Sequence, residues 1–386
     1  MHNLIKKTVD KYLDWKSYRS QHPIVVIESD DWGSLRTKDL KTRDKLNQIS
    51  SSIQKDRFTQ LDGIATQEDL ELLFDVLNSV KDRKGNPACI TANVCTANPD
   101  FEAIKASQYQ KFAFKPFTQT LKEFSSQKPL FNTWKNGIEQ NVFKPQLHGR
   151  EHVHALAWLA ELKAGNKDLL KAFELGAWGI PYKAINTQRR SNLQASLDIY
   201  GLENEIEFHN SWLKDSIKIF KEAFGFAAKS FIAPAYIWHS DIYESLFEGG
   251  INALQGIKLQ YKPLSGNKRL YNRIPHYIGE KTKNSSIFYT TRNAFFEPLS
   301  KAYSEPPSQA EMVKITMKSV HEAIQSKKPV IIGSHRINFI GRISTKHRDN
   351  NLKTLKAILN NVVESYPDVE FMDSGQLSII IKNDIA

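Results

Sequence analysis

The sequence predicts an α/β fold, a distorted (β/α) barrel of about seven parallel strands in which the whole 386-residue chain forms one domain. Three observations carry that expectation. Short apolar runs alternate with segments of helical period. Polar residues gather just after the runs, where barrels of this class place their chemistry. Neither a Gly-rich linker nor an internal repeat divides the chain, and no G-x-G-x-x-G follows any run, so a dinucleotide fingerprint is absent.

The elements follow in order. Residues 24–29 (IVVIES) read as a buried strand ending at Asp30 and Asp31. A helix is expected over 66–80, with Thr66 as N-cap and Asp69 at N3. Residues 88–94 form the next strand and run into the turn-prone Asn98-Pro99-Asp100. From about 102 to 145 the period is lost and Pro116, Pro129 and Pro145 intervene, which predicts an irregular insertion. A helix over 151–162 has Ala155, Leu156, Leu159 and Leu162 at helical spacing. Further strands are expected at 230–233, 251–254, 287–291, 330–333 and 369–372, with helices over 241–247, 309–325 and 352–363.

Composition narrows the class. With 40% hydrophobic and 25% charged residues, 18 glycines and 15 prolines, the chain is neither disordered nor collagen-like. No stretch approaches the ~18 apolar residues of a membrane span, and residues 1–21 carry charges where a signal peptide needs an apolar run. Cys89 and Cys95 are the only cysteines and are expected as free thiols of a cytoplasmic protein. A net charge of +11 and a pI near 9.3 favour anionic partners. Part of the excess lies in the loop region 258–283, where Lys258, Lys262, Lys268, Arg269, Arg273, Lys281 and Lys283 face Glu280 alone and interleave with Tyr261, Tyr271 and Tyr277. Such a stretch suits nucleic acid, anionic sugars or simple solvation.

Chemistry is suggested by the strand ends. Adjacent carboxylates after a buried strand need a positive neighbour, and a metal ion is one answer. His148 and His152, at i and i+4 of a helix, can supply imidazoles from one face. With Asp31 they make an Asp-His-His set that leaves a coordination position open, as catalytic sites do. Asp30 can then act as base, and His335, closing the run PVIIGSH, as general acid. Asp373 is a candidate to orient that imidazole, or else a helix cap. Trp238 offers a stacking platform or core packing, and Arg292, Asn293 and Glu297 form a candidate substrate-binding trio after the 287–291 strand.

Together these residues resemble the polysaccharide deacetylase (NodB-like, carbohydrate esterase 4) superfamily, as a divergent branch. Asp30-Asp31-Trp32-Gly33 is similar to its opening Asp-Asp-Gly, His148-Gly149-Arg150-Glu151-His152 to its His-Ser/Thr-x-x-His, and Phe231 to Tyr236 occupies the place of its Arg-x-Pro. Ser334-His335 stands for its Leu-x-His. The resemblance implies Asp30 as base, His335 as acid, and Asp31, His148 and His152 as ligands of a divalent metal, commonly zinc. It also implies a backbone N–H near Tyr236 that helps stabilise the oxyanion, with Trp32, Asn98, Tyr236, Trp238, Arg292 and Asn293 about the substrate. Ile232 stands where the family has an arginine, so Arg36, Arg150 or Arg292 is expected to replace it. The implied activity removes an acyl group, acetyl foremost, from an N-acylated saccharide of surface polysaccharide metabolism. For a cytosolic chain an anionic, nucleotide-linked or lipid-linked sugar is the natural partner, and nucleic acid is not expected. The alternatives are a glycosidase using Asp30 with Asp373 or Glu297, and a non-catalytic carbohydrate-binding relative.

Overall fold

The computed structural model describes residues 11–125, 129–181, 193–264, 270–283 and 285–385. Its centre is strand β1 (Ile24–Trp32), buried over all nine residues. Burial on both faces is what its unbroken apolar start requires of a parallel strand. One side of β1 pairs with β12 (Val330–His335), in a register that sets Asp30 against His335. The other side pairs first with β13 (Glu370–Met372) and then with β2 (Ile90–Val94).

The sheet continues from β2 through β5 (Phe143–Leu147), β6 (Ser230–Ile232) and β7 (Ala253–Gly256) to β10 (Phe288–Thr291), all parallel. Beyond β12 it ends at β11 (Ala294–Phe295). The two terminal strands of this order, β10 and β11, are separated in sequence only by Arg292 and Asn293, so the sheet must curl until its edges meet. No ladder closes it among the described residues. Instead the N–H of Arg292 donates to the Gly256 carbonyl (2.8 Å) and that of Asn293 to Ile331 (3.1 Å), stitching the seam. The barrel is therefore open at one seam.

Helices pack outside, among them Glu205–Phe224, Gln309–Gln325 and Thr345–Ser365. The expected helix after Thr66 spans Gln67–Asn78 and begins with a complete Thr66/Asp69 capping box. Two short antiparallel pairs sit beside the barrel: β3 (Ala97–Pro99) with β4 (Phe114–Pro116), and β8 (Leu259–Pro263) with β9 (Tyr271–Pro275). The second pair carries Lys262 and Arg273 of the basic region, whereas Lys268 and Arg269 lie outside the described residues.

Two expectations are corrected. Residues 102–145 are ordered for the most part, with helices Phe101–Ala106, Phe117–Glu123 and Leu130–Glu139 leading into β5. Pro116 and Pro129 punctuate this segment at helix N-termini rather than interrupting its elements. Gly137 lets the third helix close on the core, because a Cβ there would sit 2.4 Å from Phe74. The expected helix over 151–162 starts only at Ala155, so His148 and His152 are not helical neighbours. Gly149, at φ +91°, turns the chain away from helix, and a Cβ there would meet Trp212 at 2.0 Å.

Candidate metal centre and active-site cleft

A single backbone irregularity brings the two aspartates together. In a regular strand Asp30 and Asp31 face opposite ways. Here Asp31 takes φ +74°, and β1 shifts register against β2 between Ser29 and Trp32. Both carboxylates then line one cavity of about 120 Å³, with Arg36, Phe58, His148, His152, Gln194, Ala233, Ala235, Tyr236 and His335. A larger groove of about 1160 Å³, lined by Tyr243, Lys262, His276 and Tyr289, shares none of these residues. The convergent titratable groups favour the small cavity as the site.

Asp31, His148 and His152 meet inside it. The Nε2 atoms of both histidines lie 3.4 Å from Asp31 Oδ1. His148 arrives at the end of β5, and its Nδ1 is 2.9 Å from the carbonyl of Ile232. A carbonyl only accepts, so Nδ1 carries the proton and Nε2 presents a lone pair to the centre. His148 Nε2 and Asp31 Oδ1 are buried and have no hydrogen-bond partner among the described residues. Burial opposes ionisation of Asp31, but the neighbouring charge, Arg36 included, outweighs it and holds the carboxyl well below its usual range. Burial brings His152 down to about 3. Two imidazoles and a carboxylate, with orphaned atoms facing one another, form a donor set that fits a divalent transition ion.

Asp30 sits beside this set, held by an arginine from the seam. Arg292 donates from Nη1 to Oδ2 (2.8 Å) and from Nη2 to Oδ1 (2.6 Å), and its Nε reaches Glu28 (2.8 Å). Asn93 of β2 adds a bond to Asp30 Oδ1 (2.8 Å). Burial pushes the carboxyl up, yet Arg292 overcomes it and Asp30 is lowered to about 2. Of Arg36, Arg150 and Arg292, it is Arg292 that bonds Asp30. Arg150 is tied to Glu151 and Asp215. Tyr236 lines the cavity at φ +58°, with its hydroxyl 3.0 Å from Arg292 Nη1. Its own N–H donates to the Ala233 carbonyl (3.0 Å).

His335 lies across from Asp30, with Nε2 3.8 Å from Oδ2. Its Nδ1 is bonded to Glu297, whose other oxygen takes Arg57 (3.0 Å). Burial would lower the imidazole pKa, but Glu297 more than compensates and raises it. Asp373 has no part in this: its Oδ1 accepts from the N–H groups of Gly375 (2.7 Å) and Gln376 (3.1 Å), capping the last helix.

Four other expected site residues are not among those lining the small cavity. Trp32 is 1% exposed, packed edge-on against Trp134 and Phe143. Asn98 donates to the Gly33 carbonyl (2.9 Å) and Thr120 Oγ1 (3.1 Å) and accepts from the Leu35 N–H, which fixes the loop after β1. Asn293 ties β11 to β12 through Pro329 and Ile331. Trp238 is buried, its ring near Tyr289 and His276. Asn93 escaped the sequence reading, although a buried polar residue inside ITANV was a legible signal; Phe58 and Gln194 left none.

A second buried group, His154, Glu205 and His209, also offers ligand atoms within 4.8 Å of one another. The Ala157 N–H donates to His154 Nδ1 (3.2 Å), so Nε2 is the protonated nitrogen, 2.9 Å from the Asp198 carbonyl and 3.1 Å from Glu205. Glu205 accepts from the N–H groups of Tyr200, Gly201 and Leu202.

No protein-family model and no curated protein matches the chain. Solved structures similar to it include a 4-alpha-glucanotransferase from Thermococcus litoralis, with 9% identity and a TM-score of 0.43 over 92% of this chain. This chain spans only 40% of that enzyme's length. A CE4 family pseudoenzyme from Bacillus anthracis has 9% identity and a TM-score of 0.38, covering 94% of this chain and 68% of its own. A protein named as a probable polysaccharide deacetylase from Pseudomonas aeruginosa PAO1 has 7% identity and a TM-score of 0.45, covering 92% and 89%. Likeness at this level transfers no activity, and the chemistry has to be read from the chain's own residues. No helix among the described residues is long and apolar enough to cross a membrane.

Proposed function

We propose that this protein is a metal-dependent hydrolase that removes an acyl group, acetyl foremost, from an N-acylated saccharide. The observation that carries the reading is the meeting of Asp31 Oδ1 and His148 Nε2, both buried and unpartnered, with His152, between Asp30 and His335. Asp31, His148 and His152 would hold the ion, with zinc the expected occupant of this donor set. When bound, a divalent ion supplies Lewis acidity and a more acidic water.

The chain's own groups divide the proton work. Asp30 is ionised at neutral pH, and its Oδ1 is already engaged twice, by Arg292 and Asn93. Oδ2 has the spare lone pair and is the atom to receive the proton of the attacking water. Glu297, bonded to Nδ1, raises the His335 pKa and favours the protonated ring, whose Nε2–H is then the proton for the departing amine. The glycosidase reading needs Asp373 or Glu297 as the partner of Asp30, but Asp373 caps a helix and Glu297 is engaged by His335 and Arg57. Excess positive charge favours a saccharide that carries phosphate or carboxylate groups.

The test is release of acetate from N-acetylated chitooligosaccharides and other N-acetylated sugars, with and without chelator. Turnover that chelation abolishes and zinc restores supports the proposal. Saccharide binding without turnover in metal-replete protein would leave a binding protein on this barrel instead.

A further inference from the structure

The small cavity contains one strong donor that the proton-transfer scheme does not use. Arg36, in the loop after β1, is 2% exposed and clamped on all sides. Its Nε donates to Asp62 (3.3 Å) and its Nη1 to Gln194 (2.6 Å). Its guanidinium carbon lies 4.7 Å from the Phe58 ring centroid and 4.8 Å from that of Trp178. Asp62 is shared with Arg336, which bonds both its oxygens at 2.9 Å. Only Nη2 has no hydrogen-bond partner among the described residues; its nearest acid is Asp31 Oδ2, at 3.8 Å. That nitrogen belongs to a residue lining the cavity.

Two further facts give this donor a task. At about 120 Å³ the cavity has room for an acyl group but little more, about four waters by liquid volume. And the N–H of Tyr236 itself is spent on the Ala233 carbonyl. We infer that Arg36 is a catalytic residue whose Nη2–H binds the acyl oxygen, stabilising the charge that develops there and later the carboxylate product. The inference rests on the hydrolase reading above. Water adds to the acyl carbon and the carbonyl π pair moves onto oxygen, where Arg36 meets it. On collapse the C–N bond breaks, its electron pair leaves on nitrogen, and nitrogen takes a proton, so no oxidant or reductant is required. A guanidinium already fixed by Asp62, Gln194 and two aromatic rings needs no reorganisation as that charge appears, the condition under which such a donor is most effective.

Arg36→Gln and Arg36→Lys would be compared with wild type for metal content, acetate affinity by calorimetric titration, and kcat and KM on N-acetylated chitooligosaccharide. The expected result for Arg36→Gln is unchanged metal content, KM within about threefold, kcat lower by about 10²-fold, and acetate affinity at least tenfold weaker. Arg36→Lys keeps a charge beside Asp62 and gives the same readout should the glutamine variant fail to fold. Loss of metal along with activity would overturn the inference, because it would reduce Arg36 to a support for Asp31. Unchanged kcat or unchanged acetate affinity would also overturn it. If wild type turns over no substrate the hydrolase reading fails, and the acetate titration alone then decides whether Arg36 is the anion donor.

Discussion

Two clusters of two histidines and a carboxylate lie buried in this protein, almost adjacent in sequence at His152 and His154, and they differ in what their polar atoms have left to bind. Around Asp31, the Ile232 carbonyl fixes the His148 tautomer so that a lone pair faces inward, and His148 Nε2 and Asp31 Oδ1 have no partner. Around Glu205, His154 uses both ring nitrogens, one accepting from the helix it caps, and the carboxylate is wrapped in backbone N–H groups. Only His209 Nε2 is left over there. His209 is held neutral, its pKa brought down to about 2 by burial first and then by His154 and His239. Residue types alone would score the clusters alike. Hydrogen-bond closure separates a set with ligand atoms left to offer from one whose atoms are largely paired already.

The largest expected effect tests that contrast directly. Purified protein should carry near one zinc or similar ion per chain, lost in Asp31→Ala and His148→Ala and kept in His209→Asn, as read by elemental analysis. An ion lost in the His209 variant and kept in the Asp31 variant would reverse the assignment of the two clusters. Next in size, Asp30→Asn should keep the ion but lower acetate release by about 10²–10⁴-fold, since the amide retains the shape of the carboxylate and cannot take the proton. Equal loss of ion and activity would show Asp30 to be part of the binding set.

A smaller effect concerns the acid. His335 is protonated below its raised pKa and loses the proton as pH rises through it, so activity should fall along a basic limb. Glu297→Gln removes the carboxylate that raises this pKa, and the limb in kcat against pH should move to lower pH. A limb that stays in place would mean that another group sets it. The smallest effect belongs to the closed cluster. His154→Ala removes the cap of the helix Ala155–Lys163 and leaves Glu205 short of a donor. The expected cost is about 2 kcal/mol in denaturant unfolding, with metal content unchanged.

Much of this was legible without coordinates. Apolar runs bounded by polar residues locate β1, β2, β6, β7, β10, β12 and β13 because a strand buried on both faces has little freedom in composition. Strand ends named Asp30, Asp31 and His335, and motif spacing added His148 and His152. Strand β5 was missed because Pro145 interrupts its pattern, although its neighbours still pair with β2. Trp32, Asn98, Trp238 and Asn293 were assigned to substrate because a polar or aromatic residue after a strand looks the same whether it faces the cleft or the core.

What the sequence determined by itself is therefore the parallel α/β plan and the chemical types available at its strand ends, both of which follow from local pattern. Tertiary structure decided the partners. Arg292 reaches Asp30 from the seam where the sheet edges meet, and Glu297 rather than Asp373 reaches His335 because β11 pairs beside β12. The positive φ of Asp31 turns two successive carboxylates into one cavity, and the Ile232 carbonyl aims His148. These are contacts between residues far apart in the chain, at angstrom distances that no local propensity encodes, and they depend on how the whole sheet curls.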